Sequence, residues 1–323
     1  MVEQQGLISG GWDRVTRNKR YIVWFYLLNL VLAWLGAAAF SNQLHDYLDH
    51  SLLSRRLVHG FDVGVLVEMF ARPEFGSTHA ARASGLHFAL IFFFASALFL
   101  PGVLQGYASA YHLPREDFFR ACGRNLWRFI RLLIVAGIVM GAAAVALFGL
   151  NSVLEKNALE STHELLLFEV RVVDMIIIFL VMTALRIWFD LAETDIVLAD
   201  QRAVRRSIRM GFRHMWQDLG RLVGSYVVAT IVAAIVLLAG LWAWIKLIPP
   251  ASVLGAIFLS QFILLLLLIP RFWQRGVAVS YYLQNMVEAV VIQPITPAPV
   301  VTPVVSEPSP APMIPPPHEP QGA

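Results

Sequence analysis

The chain has 323 residues, of which 58% are hydrophobic and only 15% charged, with a mean hydropathy of +0.64. That balance excludes an ordinary soluble domain. The net charge of +3 and pI near 9.2 come from arginines placed beside apolar runs, so they point to anionic lipid headgroups and away from nucleic acid.

Residues 1–20 carry Arg14, Arg17, Lys19 and Arg20 ahead of any apolar run, which predicts a cytoplasmic N-terminus. The first span is predicted at 21–40, with Asn29 its strongly polar residue. Ala37 to Ala39 imitate a signal-peptidase site, but the apolar stretch is longer than a usual signal core, so it is expected to stay in place.

Residues 41–85 read as an extracytoplasmic loop of amphipathic helices: Leu44, Leu48, Leu52 and Leu53 fall near helical spacing, and Asp62 and Pro73 bracket a second helix. Within it, HDYLDH sets His45 and Asp49, or Asp46 and His50, on one helix face as metal ligands stand. His45, Asp49 and His50 are the metal candidates; two ligands do not close a tetrahedral site, and no resident metal or cofactor is expected.

The second span is 86–108, with Pro101-Gly102 as a predicted kink. A basic cytoplasmic linker at 109–131 holds Arg115, Arg120, Arg124, Arg128 and Arg131. It also holds the chain's single cysteine, Cys122, which rules out an internal disulfide or a CxxC pair. The third span, 132–150, offers Gly137 and Gly141 as a GxxxG face for close helix approach, and 151–164 is a short outer loop.

The fourth span, 165–191, is interrupted by Glu169, Arg171, Asp174, Arg186 and Asp190. Charges at membrane depth cost about 2.5–3.5 kcal/mol each on insertion scales, so compensation is expected. Arg171 can meet Asp174 and Arg186 can meet Asp190 on the same helix. At about 100° per residue, positions 171, 174, 186, 190 and 193 share one side, and we expect Arg171, Asp174, Arg186 and Asp190 to face the protein interior. Two readings are open: a helix lining a polar cavity, or two neutral pairs snorkelling to opposite interfaces around the uncharged run Met175 to Leu185.

The linker at 192–221 is basic and amphipathic. Arg202, Arg206, Arg209 and Arg213 recur at helical spacing, while Val204, Ile208, Met215 and Trp216 line the other side. The pattern predicts an interfacial helix from about Gln201 to Trp216, capped by Asp200, its arginines on lipid headgroups and its apolar side against the leaflet. Spans five and six follow at 222–248 and 251–269, with Trp242 and Trp244 as an aromatic belt and Pro249-Pro250 as the outer turn. Pro270, Arg271 and Arg275 mark the inner end, a cytoplasmic helix occupies 270–292, and 293–323 is a proline-rich tail expected to be disordered and able to offer a weak PxxP motif to a protein partner.

The result is an all-α, polytopic membrane protein: six spans as three hairpins, both termini inside, in a bacterial inner membrane. Each hairpin opens on a similar basic element, at Arg17 to Tyr21, Arg124 to Phe129 and Gln217 to Leu222, which reads either as a duplication or as a shared capping need.

Ile196-Val197-Leu198-Ala199-Asp200-Gln201-Arg202, Ser207-Ile208-Arg209, Trp216, Leu219, Arg221-Leu222 and Gly224 resemble the linker of a broad group of uncharacterised bacterial six-span proteins. That group includes the membrane domain of some glycerophosphodiester phosphodiesterases. The resemblance implies an all-helical integral membrane protein. No appended catalytic domain is read in this chain, so no catalytic residue is carried over. Phosphate-loop, dinucleotide, HExxH and GxSxG motifs are missing, and the reading leans away from an enzyme. The leading expectation is an auxiliary or scaffolding membrane protein; the alternatives are a transporter or lipid-handling protein using the fourth span's polar face, and a membrane enzyme. The bilayer and its anionic lipids are the expected partners.

Overall fold

The computed structural model describes residues 6–49, 79–109, 112–159, 166–249 and 252–287, and every regular element among them is helical. The elements are α1 (Leu7–Arg17), α2 (Arg20–Asp49), α3 (His79–Ala108), α4 (Arg115–Leu159), α5 (Leu166–Leu198), α6 (Val204–Gln217), α7 (Leu219–Leu247) and α8 (Val253–Tyr282). A π-helical turn, Leu283–Val287, ends the described chain. Most of the 41–85 loop, His50, the side chains of His45 and Asp49, and the proline-rich tail lie outside the described residues.

Among the described residues, five helices are long and apolar enough to cross a bilayer: Leu90–Ala108, Arg115–Lys156, Phe168–Leu198, Leu219–Leu247 and Leu254–Asn285. Within α2, the apolar run Arg20–Leu35 reaches the end of the described side chains of that helix. The chain is therefore a helical protein built for a membrane.

Several boundaries differ from the sequence reading. The 109–131 linker is helical from Arg115 onward and continuous with the third span in one helix of 45 residues, about 68 Å long. Pro270 does not end a helix; it sits inside α8, which continues to Tyr282. One missing N–H is tolerated there because the turns on either side stay bonded. Likewise α5 runs past 191 to Leu198, and Ala192 through Val197 are buried in protein instead of forming a solvated linker.

The core sits at the end of the bundle where the basic segments gather. Tyr21 and Phe25 of α2, Val103 and Tyr107 of α3, Phe118, Phe129 and Leu132 of α4, Phe189 and Ile196 of α5, and Phe272 and Val279 of α8 form one buried cluster. Leu7, Ile187, Leu191, Met215, Leu222, Tyr226, Val277 and Tyr281 form a second. Toward the other end the side chains face outward: Val145, Phe148, Phe168, Met175, Leu238, Trp242, Leu254 and Phe258 are all exposed. Such apolar halves suit acyl chains, since lipid tails solvate them as well as another helix would.

Close helix contact falls at glycines other than the predicted pair. Gly137 and Gly141 face outward, with no heavy atom within 4 Å of the position a Cβ would take. Instead α1 crosses α8 at Gly11 and Gly276, and α6 meets α5 at Gly211, where a Cβ would lie 2.8 Å from the Trp188 carbonyl oxygen. A GxxxG spacing reports small residues, and only the surrounding surface decides whether a partner uses them.

The N-terminal cations are structural struts as well as charges. Arg14 donates from Nε to Ser280 Oγ at 2.9 Å and from Nη1 to the Tyr107 carbonyl, tying α1 to α8 and α3. Arg20 Nη2 reaches the Leu113 carbonyl at 2.7 Å.

Candidate functional site: a polar cavity at the basic end

Four helices line a half-open cavity of about 460 Å³ just inside the basic end. On α5, Thr183, Arg186, Asp190 and Glu193 succeed one another at three- and four-residue steps, so a single helix face delivers them all. α7 contributes Tyr226 and Thr230, one turn apart, and α8 contributes Arg271, Gln274 and Arg275. The opposite wall is apolar, built by Leu133, Ala136 and Met140 of α4 with Phe179 and Met182 of α5.

Part of this polar set is internally satisfied. Tyr226 Oη donates to Asp190 Oδ2 at 2.8 Å, and Arg186 Nε lies 3.7 Å from the same oxygen. Gln274 Nε2 donates to Thr230 Oγ1 at 3.1 Å and to the Tyr226 carbonyl at 3.4 Å. Part is not: Arg186 Nη2, Arg275 Nε and Glu193 Oε2 are enclosed and have no hydrogen-bond partner among the described residues. Buried polar groups are ordinarily paired, so three unpaired atoms around one cavity are the most informative feature of the site.

The four charges of the fourth span are thus divided. Arg186 and Asp190 pair as expected and line the cavity. Asp174 is buried, 5% exposed, but outside it. Arg171 corrects the expectation: its side chain is 63% exposed and pairs at 2.9 Å with Glu155 of α4, not with Asp174. At the far end the open bundle leaves it facing outward, where a partner on the neighbouring helix is nearer to hand.

The row Arg202, Arg206, Arg209 and Arg213 is exposed and takes no part in the cavity. The helix bearing it, α6, differs from the prediction in two ways. Asp200 does not cap it; the helix starts at Val204, and Asp200, with φ of 49°, accepts from Arg128 Nη1 at 2.6 Å. That hydrogen bond, helped by Arg124, holds its carboxyl below the ordinary aspartate range. The apolar side of α6 packs on protein: Met215 is buried, and Val204 and Ile208 lie against the core. Trp216 alone of the predicted four is exposed, stacked with Phe212 at 6.0 Å.

His214, at the end of α6, is held below the ordinary histidine range by burial, with Arg213 adding to the effect against Asp195 and Asp218. A lowered histidine pKa favours the neutral ring in the folded chain, so its contribution is intact above the ordinary histidine range and is lost as pH falls from that range through the lowered folded value. Thermal stability should therefore fall on mild acidification, and His214→Gln should flatten that slope; an unchanged slope would remove His214 as its source.

Tyr226, Thr230, Gln274 and the cavity-facing role of Arg271 and Arg275 were not legible in the sequence. The 226/230 and 271/275 spacings were available, but an arginine after a long apolar run reads as the end of a span. A larger apolar groove of about 880 Å³ lies between α1 and α7; its one charged lining residue, Arg221, is exposed, so it offers no comparable chemistry. No cluster of three or more His, Cys, Asp or Glu side chains gathers among the described residues. No protein-family model, curated protein or solved structure matches the chain.

Proposed function

We propose that the chain is a multi-pass protein of a bacterial inner membrane that binds an amphiphilic ligand in the polar cavity, as a transporter or lipid-handling protein. The carrying observation is the cavity's two-part wall: enclosed, partly unsatisfied charge on α5 and α8, facing a hydrocarbon wall on α4 and α5. Ligand sites combine an apolar lining with a few convergent polar groups, and ionisable residues at membrane depth mark substrate paths. The scaffolding alternative is less favoured, because α6 already spends its apolar side on the protein itself. The likeness of residues 196–224 to the linker of six-span membrane domains fits the same class.

Six spans with both termini cytoplasmic are part of this proposal. Leu7 of α1 clusters with Val277 and Tyr281 near the end of α8, so both described chain ends lie at one end of the bundle. That favours an even number of crossings, with α2 as the sixth, and arginine enrichment assigns that end to the cytoplasm.

The test is cysteine accessibility. Native Cys122 is buried and leaves a quiet background. Thr183→Cys should react with a water-soluble maleimide, and a total lipid extract should protect it. Reaction with lipid-soluble reagents alone, without protection, would overturn the reading. Separately, changing Arg202, Arg206, Arg209 and Arg213 together to Gln should weaken binding to anionic vesicles, by about 1 kcal/mol per membrane-near base. Unchanged vesicle binding would show that this row faces solvent only.

A further inference from the structure

We propose, resting on the reading that the cavity holds an amphiphile, that its ligand is zwitterionic: an anionic group taken by Arg186 and Arg275 and a protonated amine taken by Glu193. The unsatisfied atoms carry this. Two are guanidinium N–H donors and one is a carboxylate oxygen, on three residues that line the cavity, so its wall lacks both an acceptor and a donor.

Asp190 is a weaker acceptor for the amine than Glu193, because one of its two oxygens, Oδ2, is already engaged by Tyr226 and Arg186. Glu193 is 5% exposed and lines the cavity, yet among the described residues no ion pair joins it to Arg186, Arg271 or Arg275. The guanidiniums and the Glu193 carboxyl are thus held apart around an opening instead of being collapsed on one another. Burying unpaired charge is costly, and the arrangement is resolved by a guest that brings the complementary charges in the complementary order.

Simpler guests fit less well. A plain anion satisfies the arginines but leaves Glu193 without a donor, and a plain cation satisfies Glu193 while facing Arg271 and Arg275, which have no ion pair among the described residues. Water can bond to the three atoms but leaves the charges uncompensated. The apolar wall of Met140, Phe179 and Met182 then takes the first part of a hydrocarbon chain, which selects a phosphate- or carboxylate-bearing amphiphile with a primary amine.

The test compares short-chain lipids differing only in headgroup, bound to the purified full chain in mild detergent and measured by calorimetry. Dioctanoyl phosphatidylethanolamine should bind about tenfold tighter than dioctanoyl phosphatidic acid, the worth of one charge-assisted hydrogen bond. Phosphatidylcholine, which has no N–H to donate, should fall well below phosphatidylethanolamine. Glu193→Gln should remove the preference for the amine, and Arg275→Gln should weaken the binding of both phosphatidylethanolamine and phosphatidic acid about tenfold. Phosphatidic acid equal to or tighter than phosphatidylethanolamine in the unaltered protein overturns the proposal without any variant. So does a preference that survives Glu193→Gln. If free phosphoethanolamine competes as strongly as the lipid, the zwitterion stands and the amphiphile is overturned. If no lipid binds and none protects Thr183→Cys, it is the underlying cavity reading that fails.

Discussion

Asp190→Ala is expected to destabilise the protein by about 3–5 kcal/mol, the usual cost of removing one partner of a buried charge pair. The carboxylate accepts from Tyr226 at 2.8 Å and sits 3.7 Å from Arg186 Nε. Its loss strands a buried hydroxyl and leaves Arg186, already carrying one unpaired nitrogen, without a counter-charge beside it. Asp190→Asn keeps an acceptor for Tyr226 but not the charge, so it should fall between Asp190→Ala and the unaltered protein. Arg171→Ala is the control: its pair with Glu155 is exposed, and exposed pairs contribute about 0–1 kcal/mol. Thermal unfolding in detergent separates these cases. An Asp190→Ala protein as stable as Arg171→Ala would mean that the cavity charges are solvated and the site is not built as described.

The contrast between Arg171 and Arg186 shows what the sequence could and could not say. Both carry an acid three or four residues on, and helical spacing treats the two pairs alike. What separates them is depth in the bundle. At the basic end α5 is surrounded by α4, α7 and α8, so Arg186 and Asp190 are pressed together. At the other end the helices part and Arg171 turns to α4. The apolar runs were legible because membrane spans need long uncharged stretches, whatever they pack against. Their ends were not, because Arg271 and Arg275 on α8 look like the edge of a span until the carboxylates of α5 are placed opposite. The same applies to α6: its amphipathic pattern is plain in the sequence, but whether lipid or protein covers Met215 and Ile208 depends on Gly211 letting the helix approach Trp188.

Gly276→Ala is expected to loosen the N-terminal helix, at a cost of about 3 kcal/mol or more, the upper part of the range for overpacking a tight contact. A Cβ at Gly276 would lie 2.5 Å from the carbonyl oxygen of Gly11, and one at Gly11 would lie 2.8 Å from the backbone nitrogen of Val277. The obstacles are backbone atoms, so no side-chain rotation relieves them and α1 must move as a body. Moving it would break the Arg14–Ser280 bond and the Trp273 Nε1 bond to the Ile8 carbonyl, and would draw Leu7 out of its cluster. Because Arg14 also reaches the Tyr107 carbonyl, the loss spreads to α3. Gly137→Ala and Gly141→Ala serve as matched controls: nothing stands within 4 Å, and alanine in a helix interior is favoured over glycine by about 0.5–1 kcal/mol. Gly276→Ala should therefore lower the unfolding temperature and speed trypsin cleavage at the already exposed Arg17 and Lys19, whereas the two controls should raise that temperature or leave it unchanged. If Gly276→Ala behaves as Gly137→Ala does, α1 is not clasped to α8 in the membrane-embedded protein. The shared location of the two chain ends, and the six-span topology argued from it, would then lose their support.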